Sequence, residues 1–252
     1  MSFSILIFVI EYIVITFVFG LIYMFVGSKN SKYIQRCLGW KGYCVLGSIG
    51  VTFHELSHLI IAVIFRHKIT EVRLFRPSQS RIDGTLGYVD HTWKEKSVYQ
   101  RIGNFFIGTA PMLFGAGLLF LVLRIAYPSS FIDVAEISEI PDALIYAFSN
   151  MFTSSSLLSV WTLIVLLVIV FICPYMNMSG ADIKGAVSGV ITLILLSLLL
   201  TIVSLVIPAD IMTQIQGSLN TFIAYYSFAL LLGLVVNIIM TICFALVSLV
   251  KK

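Results

Sequence analysis

The sequence predicts an all-α membrane protein of about six transmembrane helices, with a small membrane-associated β-hairpin after the second. Three observations lead there. Hydrophobic residues make up 59% of the 252 and charged residues 11%, and the mean hydropathy is +1.03. A soluble domain with that balance would carry too few charges to stay dispersed. The apolar residues also fall in long blocks, not at period 2 or 3.6. Each block is about 20 residues, the length a helix needs to cross the hydrocarbon core. An open strand would leave backbone groups unpaired in lipid, so each block is read as a helix.

The blocks run approximately Ile5–Val26, Tyr43–Phe65, Ile102–Tyr127, Leu157–Tyr175, Val187–Ile207 and Thr221–Val250. The first lacks a basic start and a small-residue cleavage site, and is read as a retained helix rather than a signal peptide. Three regions follow: 1–42, an N-terminal transmembrane helix and a basic loop; 43–190, a core; and 191–252, the C-terminal transmembrane helices. The longest polar segment, 66–101, is too short for an independent domain. Within it Lys68–Arg76 and Thr85–Trp93 read as two short strands joined through an Asp83-Gly84 turn.

Lys and Arg set the orientation. Segments 66–101 and 176–186 and the C-terminus hold eleven of them, Lys251 and Lys252 included; the alternate set holds five, Lys29, Lys32, Arg36, Lys41 and Arg124. This places both termini in the cytoplasm, although the 29–41 cluster argues the other way. The net charge of +4 is spread as membrane anchors and points to no nucleic-acid partner. The cysteines (Cys37, Cys44, Cys173, Cys243) have no C-x-x-C spacing and read as small apolar side chains.

The chemistry lies in His54-Glu55-Leu56-Ser57-His58, inside the second block. Residues four apart share a helix face, so both imidazoles reach one metal ion, and Glu55 stands beside that face as a general base. Ionisable groups at membrane depth cost several kcal/mol and mark function by default. A polar cluster that only glues helices is the bland alternative. The pair lies roughly 16 and 10 Å below the helix end at Phe65, at about 1.5 Å per residue. Zinc suits two imidazoles and a carboxylate with one position left for water. The candidate third ligand is Asp182, in the Pro/Gly-rich break Pro174–Gly185 and in the first turn of the fifth helix, where a carboxylate also simply suits the helix dipole. Ala181, Gly185 and Gly189 recur every four residues and predict close packing that carries Asp182 toward the second helix.

Other polar residues carry two readings each. His91 is an interfacial histidine, an alternative ligand or a substrate contact. Asn104 satisfies backbone where the third helix opens, or touches substrate. His67, directly after the motif helix, reads as a helix-end cation.

H-E-x-x-H in one transmembrane helix, with an Asp beyond a Pro-containing break in a later one, resembles the site-2 protease family of intramembrane zinc metalloproteases. Gly108-Thr109-Ala110-Pro111 is similar to the family's Gly-Pro element, and the likeness covers roughly 43–190. It implies that 43–190 is a metalloprotease core, with His54, His58 and Asp182 binding Zn²⁺ and Glu55 activating water. It also implies that the hairpin pairs with an unwound substrate as an added strand, and that Asn177 replaces a polar residue near the substrate. The implied partners are the bilayer and a membrane-protein or signal-peptide substrate. The implied setting is a prokaryotic cell membrane, with the site nearer the cytoplasmic face. The chain departs from the family pattern where Asp182 is followed by Ile183 instead of Gly and stands eight residues beyond Pro174. A transporter or metal carrier, or a non-catalytic scaffold, would use the same His/Asp cluster.

Overall fold

The computed structural model describes residues 4–153 and 160–250; Leu157–Ser159 of the predicted fourth block, and Lys251 and Lys252, lie outside the described residues. The chain is mainly helical, with one two-stranded antiparallel sheet. Among the described residues, four helices are long and apolar enough to cross a membrane.

Helix α1 (Ser4–Ile64) covers the first two predicted blocks and the expected loop between them. Residues 27–42 are helical because nothing but Gly39 in that stretch departs from helical geometry. Gly39, at φ +68°, turns the chain in the left-handed region that a side chain resists. The two arms fold back across it, bringing the Ser31 and Tyr43 hydroxyls to 3.5 Å.

After α1 come β1 (Lys68–Arg73), a single-turn α2 (Ser80–Asp83) and β2 (Tyr88–Thr92). The hairpin is therefore present, but the strands are joined by a long connection instead of a tight Asp-Gly turn. Gly84, at φ +77°, ends α2. Lys68 pairs with Thr92 and Arg73 with Tyr88, with a register shift between Ile69 and Glu71. Arg76 clamps the connection, bonding Asp83 at 2.7 Å and lying 4.8 Å over the Tyr88 ring.

Helix α3 (Val98–Ala126) starts four residues before its predicted block, at an Ser97 cap that accepts from the Gln100 N–H. The amphipathic α4 (Ile140–Thr153) precedes α5 (Val160–Phe171). The described part of α5 is twelve residues, or about 18 Å. It passes through a 3₁₀ turn, Cys173–Tyr175, into α6 (Gly180–Val203). The last helix, α7 (Ala209–Val250), is 42 residues, about 63 Å.

The first arm of α1 and α7 run parallel. Tyr23 Oη donates to the Leu230 carbonyl, Asn30 Nδ2 to Asn237 Oδ1 and Cys37 Sγ to the Phe244 carbonyl. Each contact advances seven residues on both helices, the spacing of a left-handed helix pair. The central core of α1, α3, α6 and α7 is apolar and aromatic. Large apolar side chains also cover the outside: Val45 and Ile191 are each 71% exposed, as suits a lipid-facing surface.

Helix α6 packs chiefly on α3. A Cβ on Gly189 would stand 2.6 Å from the Phe105 nitrogen, and one on Gly108 would run into the Asp182 carbonyl. The predicted stripe is thus corrected in part. Gly189 makes the close approach together with the fully buried Ala186, its partner is α3 instead of the motif helix, and Gly185 meets open space.

Candidate metal centre

His54 and His58 lie on the second arm of α1, one turn apart, with Nε2 atoms 3.1 Å from each other. Asp182, in the first turn of α6, brings Oδ1 to 3.4 Å from His58 Nε2 and Oδ2 to 3.9 Å from His54 Nε2. Ligands about 2.0–2.1 Å from a tetrahedral zinc lie roughly 3.3 Å apart, and these separations bracket that value. One donor atom from each of the three residues falls within 4.8 Å of the others.

The tautomers follow from the neighbours. His54 Nδ1 is 2.8 Å from the Tyr175 carbonyl and His58 Nδ1 is 2.7 Å from the Ile107 carbonyl. A carbonyl only accepts, so both Nδ1 atoms carry hydrogen and both Nε2 atoms present lone pairs. Two lone pairs 3.1 Å apart, facing a carboxylate, repel unless a cation or proton lies between them. Backbone carbonyls on Nδ1 are also the usual outer shell of a metal-bound histidine. The residues present fit a zinc ion.

Both carbonyls are available for local reasons. In α3, the Ile107 carbonyl would take the N–H of the residue four ahead. That residue is Pro111, which has none. Tyr175 ends the 3₁₀ turn that closes α5, where terminal carbonyls lack helical donors. The prolines of the Gly-Pro element and of the break therefore each mark where a histidine is anchored.

Asp182 serves two ends with two oxygens. Its Oδ2 accepts from the Ser179 N–H at 2.6 Å, while Ser179 Oγ accepts from the Asp182 N–H at 3.1 Å, a reciprocal cap of α6. Oδ1 faces His58. Helix-end carboxylate and candidate ligand are thus the same residue in one geometry.

Glu55 is buried at 8% exposure and borders two cavities that meet at the motif. One, of about 530 Å³, is lined by the three candidate ligands, Glu55, β2 from Tyr88 to His91, and Asn104. The other, of about 280 Å³, lies between the arms of α1 and includes Asn30, Tyr175 and Asn177. Gly87 lines both, and a Cβ there would stand 2.7 Å from Glu55 Cγ and 2.8 Å from the Leu74 carbonyl.

The structure thus brings His54, His58, Asp182 and Glu55 together. Asn104 and His91 border the same cavity, while Asn177 borders the neighbouring one. Asn104 is tied to α6 by a 3.0 Å bond from its Nδ2 to Ser188 Oγ, not to a helix-opening backbone group. His67 is no helix-end cation: it is 5% exposed, and burial holds its imidazole below the ordinary pKa of 6.5. Sequence reasoning missed the carbonyls of Ile107 and Tyr175, which have no side-chain signature; the nearby prolines were the readable sign. Comparisons of the chain with family models, curated proteins and solved structures find no match.

Proposed function

We propose that the protein is an intramembrane zinc metalloprotease with about six membrane crossings, hydrolysing a peptide bond in or near a transmembrane segment of another membrane protein. One observation carries the reading: two imidazole lone pairs, their tautomers set by backbone carbonyls, meet a carboxylate in the cavity that also holds Glu55.

His54, His58 and Asp182 hold the ion. When bound, zinc supplies Lewis acidity, which makes water acidic near neutral pH and polarises a carbonyl. Glu55 takes the proton of the attacking water on its carboxylate and passes it to the departing amine. Ser179 keeps the Asp182 carboxyl turned toward the imidazoles. The substrate must be unwound, since a helix hides its carbonyls. Four consecutive β2 residues, Tyr88–His91, border the cavity, and β2 has one edge left free by β1. That supports β2, rather than β1, as the strand beside which a substrate lies. The basic 66–101 segment next to the site supports a cytoplasmic-side location.

The test pairs two variants, with zinc measured by elemental analysis and cleavage followed on co-expressed membrane proteins. Glu55→Gln is expected to keep zinc and to lose cleavage by at least about a hundredfold. Asp182→Ala is expected to lose zinc as well. A metal carrier would still move zinc in the Glu55→Gln form, and a non-catalytic scaffold would bind none; full zinc occupancy in Asp182→Ala would overturn the ligand assignment.

A further inference from the structure

Two histidines outside the ligand set touch each other at the rim of the metal cavity. His67 is positioned by the end of α1. Its N–H bonds the Ala62 carbonyl and the Arg66 N–H bonds the Val63 carbonyl, with Arg66 in the left-handed region at φ +56°. This is a Schellman closure, and it turns the chain so that His67 points inward. Gly103 leaves room for the ring, since a Cβ there would stand 3.0 Å from His67 Nε2.

The hydrogens in this pair are determined in sequence. His67 Nε2 lies 2.9 Å from the Gln100 carbonyl, so it carries the hydrogen and donates. His67 Nδ1 is then a lone pair, and it lies 3.0 Å from His91 Nδ1. His91 must supply the hydrogen there. In the neutral ring that leaves His91 Nε2 without one, and among the described residues no hydrogen bond reaches it. Burial, with His67 and His58 nearby, pushes the His91 pKa down to about 4, so the ring is neutral at ordinary pH. His91 borders the metal cavity from β2 but is not one of the three residues whose donor atoms cluster.

We propose that His91 is a fixed hydrogen-bond acceptor of this cavity, its Nε2 lone pair taking a backbone N–H of the substrate chain, and that His67 is the positioning residue that sets its tautomer. This rests on the proteolytic reading above. A ring nitrogen without a hydrogen accepts and cannot donate, so it selects an N–H over a carbonyl. An unwound substrate beside β2 carries N–H groups that have lost their helical acceptors, and leaving one unpaired in a buried cavity is costly.

Two measurements test it on the full-length protein in detergent micelles. The first is nitrogen NMR of ¹⁵N-histidine-labelled protein, with and without zinc. The expected His91 signals are hydrogen-bearing Nδ1 and bare Nε2 in both states, and His67→Phe is expected to release the ring to a tautomer mixture. A hydrogen on Nε2, or a zinc-induced shift of Nε2 that marks coordination, overturns the proposal. The second uses a synthetic apolar peptide of transmembrane type, with single amides replaced in turn by esters. One ester is expected to raise KM roughly three- to tenfold for the wild type and to change nothing for His91→Phe. His91→Gln, which keeps an acceptor at similar reach, is expected to recover part of the loss, with zinc content unchanged throughout. Cleavage in which every ester costs both proteins equally overturns the proposal and leaves the hydrolase reading standing. Binding of the peptide to wild type without cleavage, with the ester effect seen in affinity, overturns the hydrolase reading alone. Neither binding nor cleavage overturns both.

Discussion

Pro111 has no N–H to give the Ile107 carbonyl, and His58 Nδ1 takes that carbonyl at 2.7 Å instead. A helix-interior proline costs about 3 kcal/mol relative to alanine, so the substitution Pro111→Ala separates two effects of opposite sign. The metal-free protein is expected to unfold at the same or a higher temperature. Zinc affinity is expected to fall by about tenfold, as the restored N–H competes for the carbonyl that orients His58. Chelator competition measures the affinity, and an unaltered value would remove the proline from the site's design. At this scale His54, Glu55 and His58 were legible from spacing alone, and Asp182 from its place after the break. What Nδ1 of each histidine bonds to was not, because a carbonyl belongs to every residue and only the fold says which ones are free.

The hairpin between α1 and α3 is the element on which a buried imidazole, His67, meets a half-buried one, His91. Both His67 and His91 have pKa values lowered from 6.5, His91 to about 4, with burial the leading cause. A histidine whose folded pKa is lowered binds fewer protons folded than unfolded, so stability rises with pH. The contribution is complete above about pH 6.5 and is lost as the pH falls toward 4, as both rings must charge side by side. The expected outcome is loosening of the hairpin over that window, followed by Trp93 fluorescence in a form with Trp40 and Trp161 replaced by Phe. An unchanged signal between pH 7 and 4 would contradict it. The alternation in Lys68–Arg76 and Thr85–Trp93 was enough to expect two strands. The long connection was not foreseen, because Asp83-Gly84 reads as a tight turn yet serves as the end of α2.

Across the whole molecule, α1 and α7 are joined by hydrogen bonds repeating every seven residues, and the Asn30–Asn237 pair sits in the middle. Both side chains are nearly fully buried, and Asn30 Oδ1 and Asn237 Nδ2 have no partner among the described residues. Asn237→Leu leaves the Asn30 donor unpaired and is expected to cost about 1–3 kcal/mol. The double replacement Asn30→Leu with Asn237→Leu is expected to return most of that, as measured by thermal unfolding in detergent. If the double variant loses the sum of both singles, the two side chains are uncoupled and the bond between them contributes nothing.

Hydropathy by itself determined that the chain is helical and rich in spans, because a bilayer admits few conformations and each leaves a block of apolar residues. Spacing by itself determined which residues are suited to a metal, since i and i+4 share a face in any helix. The tertiary structure decided the rest. It made 27–42 helical, because a long helix is cut only where the backbone leaves helical geometry, and that happens at Gly39 alone. It placed α6 against α3 through Gly108 and Gly189, a choice of partner that small residues permit but do not specify. The meeting of Asp182 with two imidazoles from far along the chain follows from that packing, and no local pattern encodes it.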